Sequence, residues 1–392
     1  KISLSPMNWP TNQSERRHAL LNAVESVRKT VQKNVPFGER NGHLHKDTTD
    51  AIHEAGLLSL KLPTELGGAE ADPVLQTEVL GALAAIDTSA AWCTMVGATN
   101  VGSAGAFLPD KGIDIVFPEN KHPSIVGVGM TLGKAIPTEG GFLIDGRWPY
   151  GSGIKGSEWV TGGAKVELVP GNMSAQSDIR ALFKTSEVRI IENWDVAGLK
   201  GSGSNDYEVS ASFVPQELTW SGDHTPERGG SLYNIQRPAF VVFGHAGIAI
   251  GTAQRAIGEA KKFAVSNSRG LPGESHIASQ AYFQRELGNM ELSLWSMEAL
   301  TKDVFGKSWE VARSGGVLSE KEQSRIRAVG SLVTRESLQI VTSAFQIAGG
   351  AALHVNNPLQ QCFRDMYAAA QHFMVSPIHI ESYGAATIGE GK

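Results

Sequence analysis

Two stretches of this chain combine residue types and spacings that could do chemistry. The first is Gln346 to His372, QIAGGAALHVNNPLQQCFRDMYAAAQH. A helix with an apolar face enters it from about Ser331 and ends at Gly349-Gly350. A turn with Asn356, Asn357 and Pro358 follows, and a second helical run from near Leu359 carries Arg364, Asp365 and His372. A glycine pair at a helix end frees backbone amides and lets a ligand or another chain come close. Gln346 adds an amide that can read a polar ligand edge. An ordinary C-capped helix in an all-α domain explains the same residues, and on this segment alone it is the better account. The second stretch is WPYGSGIKGSEW, residues 148–159, where Ser152 sits between two glycines and the backbone can lie flat against a planar ligand. A glycine-rich β-hairpin is the competing explanation.

The first pattern resembles the C-terminal domain of the acyl-CoA dehydrogenase superfamily. That family carries a Gln-Ile-x-Gly-Gly turn, a Pro eight residues after the second Gly, and an Arg-Asp pair six after the Pro. Here these are Gln346, Ile347, Gly349, Gly350, Pro358, Arg364 and Asp365, without a gap. The run Gly56 to Gly68, GLLSLKLPTELGG, is similar to the family's N-terminal hallmark, and Trp194 to Pro215 to its β-domain exit. The resemblance implies that Gln346, Gly349 and Gly350 face the adenylate and diphosphate of a flavin held by a neighbouring subunit. Many members place a catalytic glutamate nine residues after the Arg. Here that position is Phe373, whose phenyl ring cannot remove an α-proton. Its neighbour His372 is placed as in the family's flavin-dependent monooxygenase branch.

That branch implies a specific function. The chain would be the oxygenase component of a two-component flavin-dependent monooxygenase. It would take reduced flavin (FAD or FMN) from a separate NAD(P)H-dependent flavin reductase and use O2, through a flavin C4a-hydroperoxide, on a small aromatic or heteroaromatic substrate. By the same carry-over His372 is the acid–base group and Ser152 hydrogen-bonds flavin N5. Trp148 borders the flavin ring, Thr131 meets the ribityl and pyrimidine portion, Trp194 packs nearby, and Arg269 reaches the diphosphate. Trp92, Asn100 and Phe373 would line the substrate pocket. Asn100 stands where phenol-hydroxylating relatives often carry His, which leaves a phenolic substrate open. A homotetramer, or at least a dimer, follows from an interface-bound flavin. Two other readings remain: an acyl-CoA dehydrogenase whose base lies elsewhere, for example Glu259, and a binding protein that keeps the fold without the chemistry.

The elements that must position these residues come in three segments. Residues 1–122 read as an N-terminal helical domain, with Leu20, Leu21, Val24, Val27 and Val31 at helical spacing over Ser14–Lys33. Asp47 or Thr48 is expected to cap the next helix. Residues 123–225 break into six to eight short strands bounded by Gly, Pro and Asn, enough for a small β-barrel or two-sheet domain. Residues 226–392 return to helical period in runs at Pro238–Ser266, Ser279–Ala312 and Ser319–Ala348 plus the final run, a four-helix bundle. Gly244, Gly247 and Gly251 are spaced for close helix packing. The fold class expected is therefore mostly α with a central β domain, the acyl-CoA dehydrogenase-like order.

Composition narrows the alternatives. The 392 residues are 41% hydrophobic and 19% charged with net charge −5, which supplies no electrostatic footprint for nucleic acid or an anionic membrane. Eleven histidines include His43, His45 and His53, which lack metal-ligand spacing, and His245, which reads as a core histidine within an apolar helix. No metal site is expected. No glycine triplet follows a strand and opens a helix, so a Rossmann site is not supported. Cys93 and Cys362 lie in no Cys cluster, and a reducing, cytoplasmic setting is expected. No membrane span or signal h-region is apparent, and the chain starts at Lys1 rather than Met.

Overall fold

The structure, a computed structural model, describes residues 9–167, 178–221, 225–268 and 275–389. The described residues form two compact units. One comprises Lys1–Ala71, Trp92–Asp195 and Lys200–Gly230; the other comprises Asp72–Ala91, Val196–Leu199 and Ser231–Lys392. These units cut across the three sequence segments, because 72–91 and the short piece 196–199 group with the C-terminal helices.

The helices α1 (Gln13–Asn41) and α2 (Lys46–Glu54) open the chain. Helix α1 passes through Pro36 and runs well beyond Lys33. It stops at Gly42, whose left-handed backbone turns its N–H onto the Gly38 carbonyl. The cap of α2 is neither Asp47 nor Thr48: the His45 side chain accepts from the Asp47 N–H at 3.1 Å. Next come α3 (Pro73–Ala84), α4 (Thr88–Phe107) and α5 (Asp110–Val116). Asp72 caps α3 and Pro73 takes its first position, where a missing N–H costs nothing.

Seven strands follow: β1 (Ile125–Thr138), β2 (Gly141–Gly151), β3 (Trp159–Val166), β4 (Asp178–Lys184), β5 (Arg189–Ile191), β6 (Asn205–Pro215) and β7 (Thr219–Ser221). They make one sheet in the order β5-β6-β2-β1-β3-β4-β7, antiparallel except for the β1–β3 pair. The ladder between β1 and β3 is irregular on both sides of Thr131. Such a bulge kinks a strand and re-aims its side chains; here Met130, Thr131 and Leu132 are all exposed. Behind them Trp148 is fully buried. Its Nε1 donates to the Gly163 carbonyl at 2.9 Å and its ring stacks on Tyr207 at 5.5 Å. A Cβ at Gly133, Gly146 or Gly162 would lie 2.5–2.7 Å from that ring, so the indole occupies a notch that glycines leave open.

The second unit is helical: α6 (Val242–Ser266), α7 (Ala281–Arg313), α8 (Glu320–Ala348), α9 (Pro358–Ala369) and α10 (Ile378–Thr387) join α3. Gly247 and Gly251 bring α6 against the α3 backbone, since a Cβ at either would lie 2.5 Å or less from a carbonyl of Thr77 or Gly81. Ser319 and Glu322 form a capping box at the start of α8. Segment Ala239–Ser266 is long and apolar enough to cross a membrane, yet 83% of it is buried within the protein, as befits a core helix. Arg364 and Asp365 hold the 196–199 segment. Asp365 Oδ1 accepts from the Leu199 N–H at 2.7 Å, and the Arg364 guanidinium donates to the Ala197 carbonyl.

The final run is not one helix. Helix α9 stops at Ala369, and His372 lies in an extended conformation before a single turn, Phe373–Val375. Pro377 disfavours helix at Ser376, so the chain re-enters a helix only at α10.

Candidate active site

Within the first unit, α4 and the loop after β2 bring Trp92 and Ser152 together. Trp92 Nε1 donates to Ser152 Oγ at 3.1 Å, and Ser152 Oγ shares a proton with Ser204 Oγ at 2.7 Å. Ser204 continues to Ser202 Oγ at 2.7 Å. All three serines are buried. Hydroxyls both donate and accept, so such a chain can reorient its protons without moving an atom. The turn that delivers Ser152 is tight: Tyr150 has φ +64° and its carbonyl accepts from the Ser152 N–H. Exposed Tyr150 meets Trp194 edge-on at 6.4 Å.

Asn100 is placed differently from expectation. Its Nδ2 donates to the Val96 and Gly127 carbonyls, at 2.9 and 3.1 Å, and its Oδ1 accepts from Thr161 Oγ1 at 2.9 Å. Both amide hydrogens are used, and the side chain ties α4 to β1 and β3. The sequence reading of Asn100 as a substrate contact is thus corrected to a tether. Trp148 is corrected as well: a ring enclosed on all sides by the sheet offers no face to a cofactor. Thr131 does lie at an open surface, where its Oγ1 meets Asp178 Oδ2 at 3.0 Å and Arg180 Nη1 at 3.2 Å. A cavity of about 300 Å³ in this unit is lined by Thr49, Asp50, His53, Cys93, Gly153 and Glu158 among others, and none of the site residues expected from sequence lines it.

Within the second unit, His372 Nδ1 accepts from the Met374 N–H at 3.2 Å. That leaves the imidazole proton on Nε2. The ring packs on His245 of α6, with centroids 4.4 Å apart and planes inclined by 34°. Burial lowers the His372 pKa to about 4. The residue as a whole is exposed, and it is the amide N–H aimed at Nδ1 that disfavours the charged ring in the same direction. His372 is therefore neutral at physiological pH. Phe373 is 67% exposed, and its ring meets His379 edge-on at 5.2 Å. His245, buried on α6, was read from sequence as packing only; no local signal in a single chain announces that a distant loop will lay a second imidazole on it.

At the end of α8, Gly349 adopts φ 53° and ψ −133°, a conformation open to glycine. Gln346 and Gly350 are exposed, and a Cβ at Gly350 would meet nothing within 4 Å. This turn thus presents an amide side chain and bare backbone. Arg269 lies outside the described residues. Glu259 is paired with Lys262 at 2.8 Å on the surface of α6, a poor setting for a general base. Among the described residues, no group of three or more His, Cys, Asp or Glu could hold a metal ion.

Comparison with known proteins gives the class. Residues 14–107 match the family description "Acyl-CoA dehydrogenase, N-terminal domain" and residues 243–377 match "Acyl-CoA dehydrogenase, C-terminal domain". The chain belongs to the acyl-CoA dehydrogenase superfamily. Among curated relatives, it is 25% identical to indole-3-acetate monooxygenase of Pseudomonas putida over 94% of each chain. It is 22% identical to the flavin-dependent monooxygenase oxygenase subunit HsaA of Mycobacterium tuberculosis, over 93% of this chain and 94% of HsaA. Among solved structures it matches XiaF from Streptomyces sp., in complex with FADH2 and glycerol, with a TM-score of 0.86, 24% identity and 96% coverage of each chain.

Proposed function

We propose that this chain is the oxygenase component of a two-component flavin-dependent monooxygenase that hydroxylates or oxygenates a small aromatic or heteroaromatic compound. The observation that carries this reading is His372: a neutral imidazole with a fixed tautomer, beside Phe373 rather than a catalytic glutamate. The full-length relatives named as monooxygenases support the same reaction class. The balance is one substrate C–H, one O2, two electrons and two protons, yielding one hydroxylated product and water. A separate NAD(P)H-dependent reductase supplies the electrons.

The residues present fit a flavin. The exposed Met130–Leu132 bulge offers apolar surface and the Thr131 hydroxyl to a flat ring system. The α8 turn offers Gln346 and the uncovered backbone of Gly350 to an adenylate and diphosphate. When bound, reduced flavin supplies the two electrons that activate O2. The buried Ser152–Ser204–Ser202 hydroxyls would hold or relay a proton. His372 Nε2–H would donate a hydrogen bond to the oxygen being transferred or to a substrate oxygen, keeping its own proton. Trp92 orients Ser152 through its indole N–H. Exposed Leu353 and Val355 beside the α8 turn, with Leu292 and Trp295 on α7, supply apolar surface for a homo-oligomer, and a tetramer is our reading. Both cysteines are free and buried, which suits a cytoplasmic enzyme.

The test is to mix the protein with a flavin reductase, NADH, FAD or FMN, and a panel of indoles and phenols under 18O2. One 18O atom in the product supports the proposal. Bleaching of bound FAD by acyl-CoA thioesters, with no labelled product from any aromatic, would establish the dehydrogenase reading instead. A narrower expectation concerns the α8 turn. Gln346→Ala removes about one hydrogen bond's worth of affinity, so the dissociation constant for reduced FAD rises about 5- to 10-fold. Reduced FMN, which has no adenylate, changes little; anaerobic fluorescence titration reads both.

A further inference from the structure

His372 lies in the link between α9 and α10, so no helix backbone sets the orientation of its ring. Two contacts do. Met374 N–H points at Nδ1, and the His245 ring covers one face at 4.4 Å. The two contacts differ in rigidity. Met374 belongs to the same short turn and moves with it, whereas His245 sits in the first turn of the buried helix α6 and is itself only 6% exposed. Its neighbours anchor it firmly: Phe243 and Gly247 pack into the same core, and α6 is held close to α3 through Gly247 and Gly251. A long helix is thus the fixed reference against which the loop imidazole is laid.

We propose that His245 is a positioning residue for His372, an aromatic platform on α6 whose tilted ring contact holds the ring plane and the direction in which Nε2–H donates its hydrogen bond. The proposal rests on the oxygenase reading above. The chemistry favours a stacked neutral pair. Around the turn α6 supplies His245, α8 Arg327 and α10 His379, all cationic when charged. None of these would stabilise a protonated His372, and two stacked imidazolium rings would repel. The platform must also be flat and polarisable, which an aliphatic side chain is not.

The experiment uses the full-length protein labelled with 15N-histidine, with the His372 signals assigned by comparison with His372→Asn. Wild type should show the neutral Nε2–H tautomer. In His245→Ala and His245→Gln, the His372 ring signals should shift and broaden as the ring plane loses its reference, with the Nε2–H tautomer kept by Met374, and product formed per O2 consumed should fall about tenfold or more, since misplacing a reacting group costs rate steeply. The KM for the aromatic substrate should change less than kcat. His245→Phe keeps a flat aromatic face and should restore both the wild-type ring signals and the coupling. Unchanged His372 signals in His245→Ala and His245→Gln would overturn the proposal, as would a folded His245→Phe no better than alanine. The magnetic resonance arm does not depend on turnover, so a wild-type protein that oxygenates nothing would sink the oxygenase reading while leaving the positioning role decided separately.

Discussion

Replacing His372 by alanine is expected to cut substrate oxygenation by about 10²- to 10³-fold, the range for removing a positioned hydrogen-bond donor from an oxygen that develops charge. Oxygen consumption with reduced flavin should continue, with hydrogen peroxide released in place of product. The reason is that His372 lies on neither the Met130–Leu132 bulge nor the α8 turn; the Met374 amide on Nδ1 keeps its proton on Nε2. Peroxide assay and product chromatography on the same reaction separate the two effects. Equal loss of oxygen uptake and product would show that His372 holds the flavin instead.

The same group sets a pH expectation. Its pKa is lowered to about 4, so the ring has already lost its proton at neutral pH and stays neutral down to that value. The His372 contribution to rate should therefore be flat from about pH 5 upward and fall only as pH approaches 4. An ordinary histidine would turn near 6.5. A wild-type profile that breaks near 6.5, with the break abolished in His372→Ala, would contradict the amide-facing placement of the ring.

Trp148→Ala should destabilise the protein by about 3–5 kcal/mol, the cost of deleting a large aromatic side chain from a core. The ring fills the notch at Gly133, Gly146 and Gly162, stacks on Tyr207, and satisfies the Gly163 carbonyl. Collapse around the gap is limited, because three of its walls are strand backbone. Urea unfolding followed by circular dichroism measures the loss. Flavin affinity in the fraction that remains folded should change far less than stability does. The opposite result, full stability with lost flavin binding, would restore Trp148 as a ligand contact.

Much of the architecture was legible in one chain. The period-3.6 runs located α6, α7 and α8 to within a few residues, and the glycine spacing on α6 anticipated its close approach to α3 at Gly247 and Gly251. Gly349-Gly350 was read as a helix end, and α8 does stop at Ala348. These are short-range matters: capping, periodicity and backbone freedom depend on residues a few positions apart, so a linear string carries them. The replacement of the family's glutamate by Phe373, with His372 beside it, is equally a property of the string.

What only the tertiary structure decided is where side chains end up when distant segments converge. Trp148 and Ser152 stand four residues apart on one strand and its turn. One disappears into a notch made by three separate strands, and the other joins a hydroxyl chain with Ser204 and an indole from α4. Asn100 is assigned to the pocket by the family resemblance. Its partners, Gly127 and Thr161, lie in two strands remote in sequence, and they use up its amide. Arg364 and Asp365, one motif with the glycine turn, act on the backbone of Ala197 and Leu199. The contact of His372 with His245 joins residues more than a hundred positions apart, and it exists because α9 stops at Ala369 and α6 lies where the following turn falls. Hydrogen-bond capacity and ring faces are written in residue types, but which of them are spent inside the fold and which remain for chemistry is determined by long-range packing.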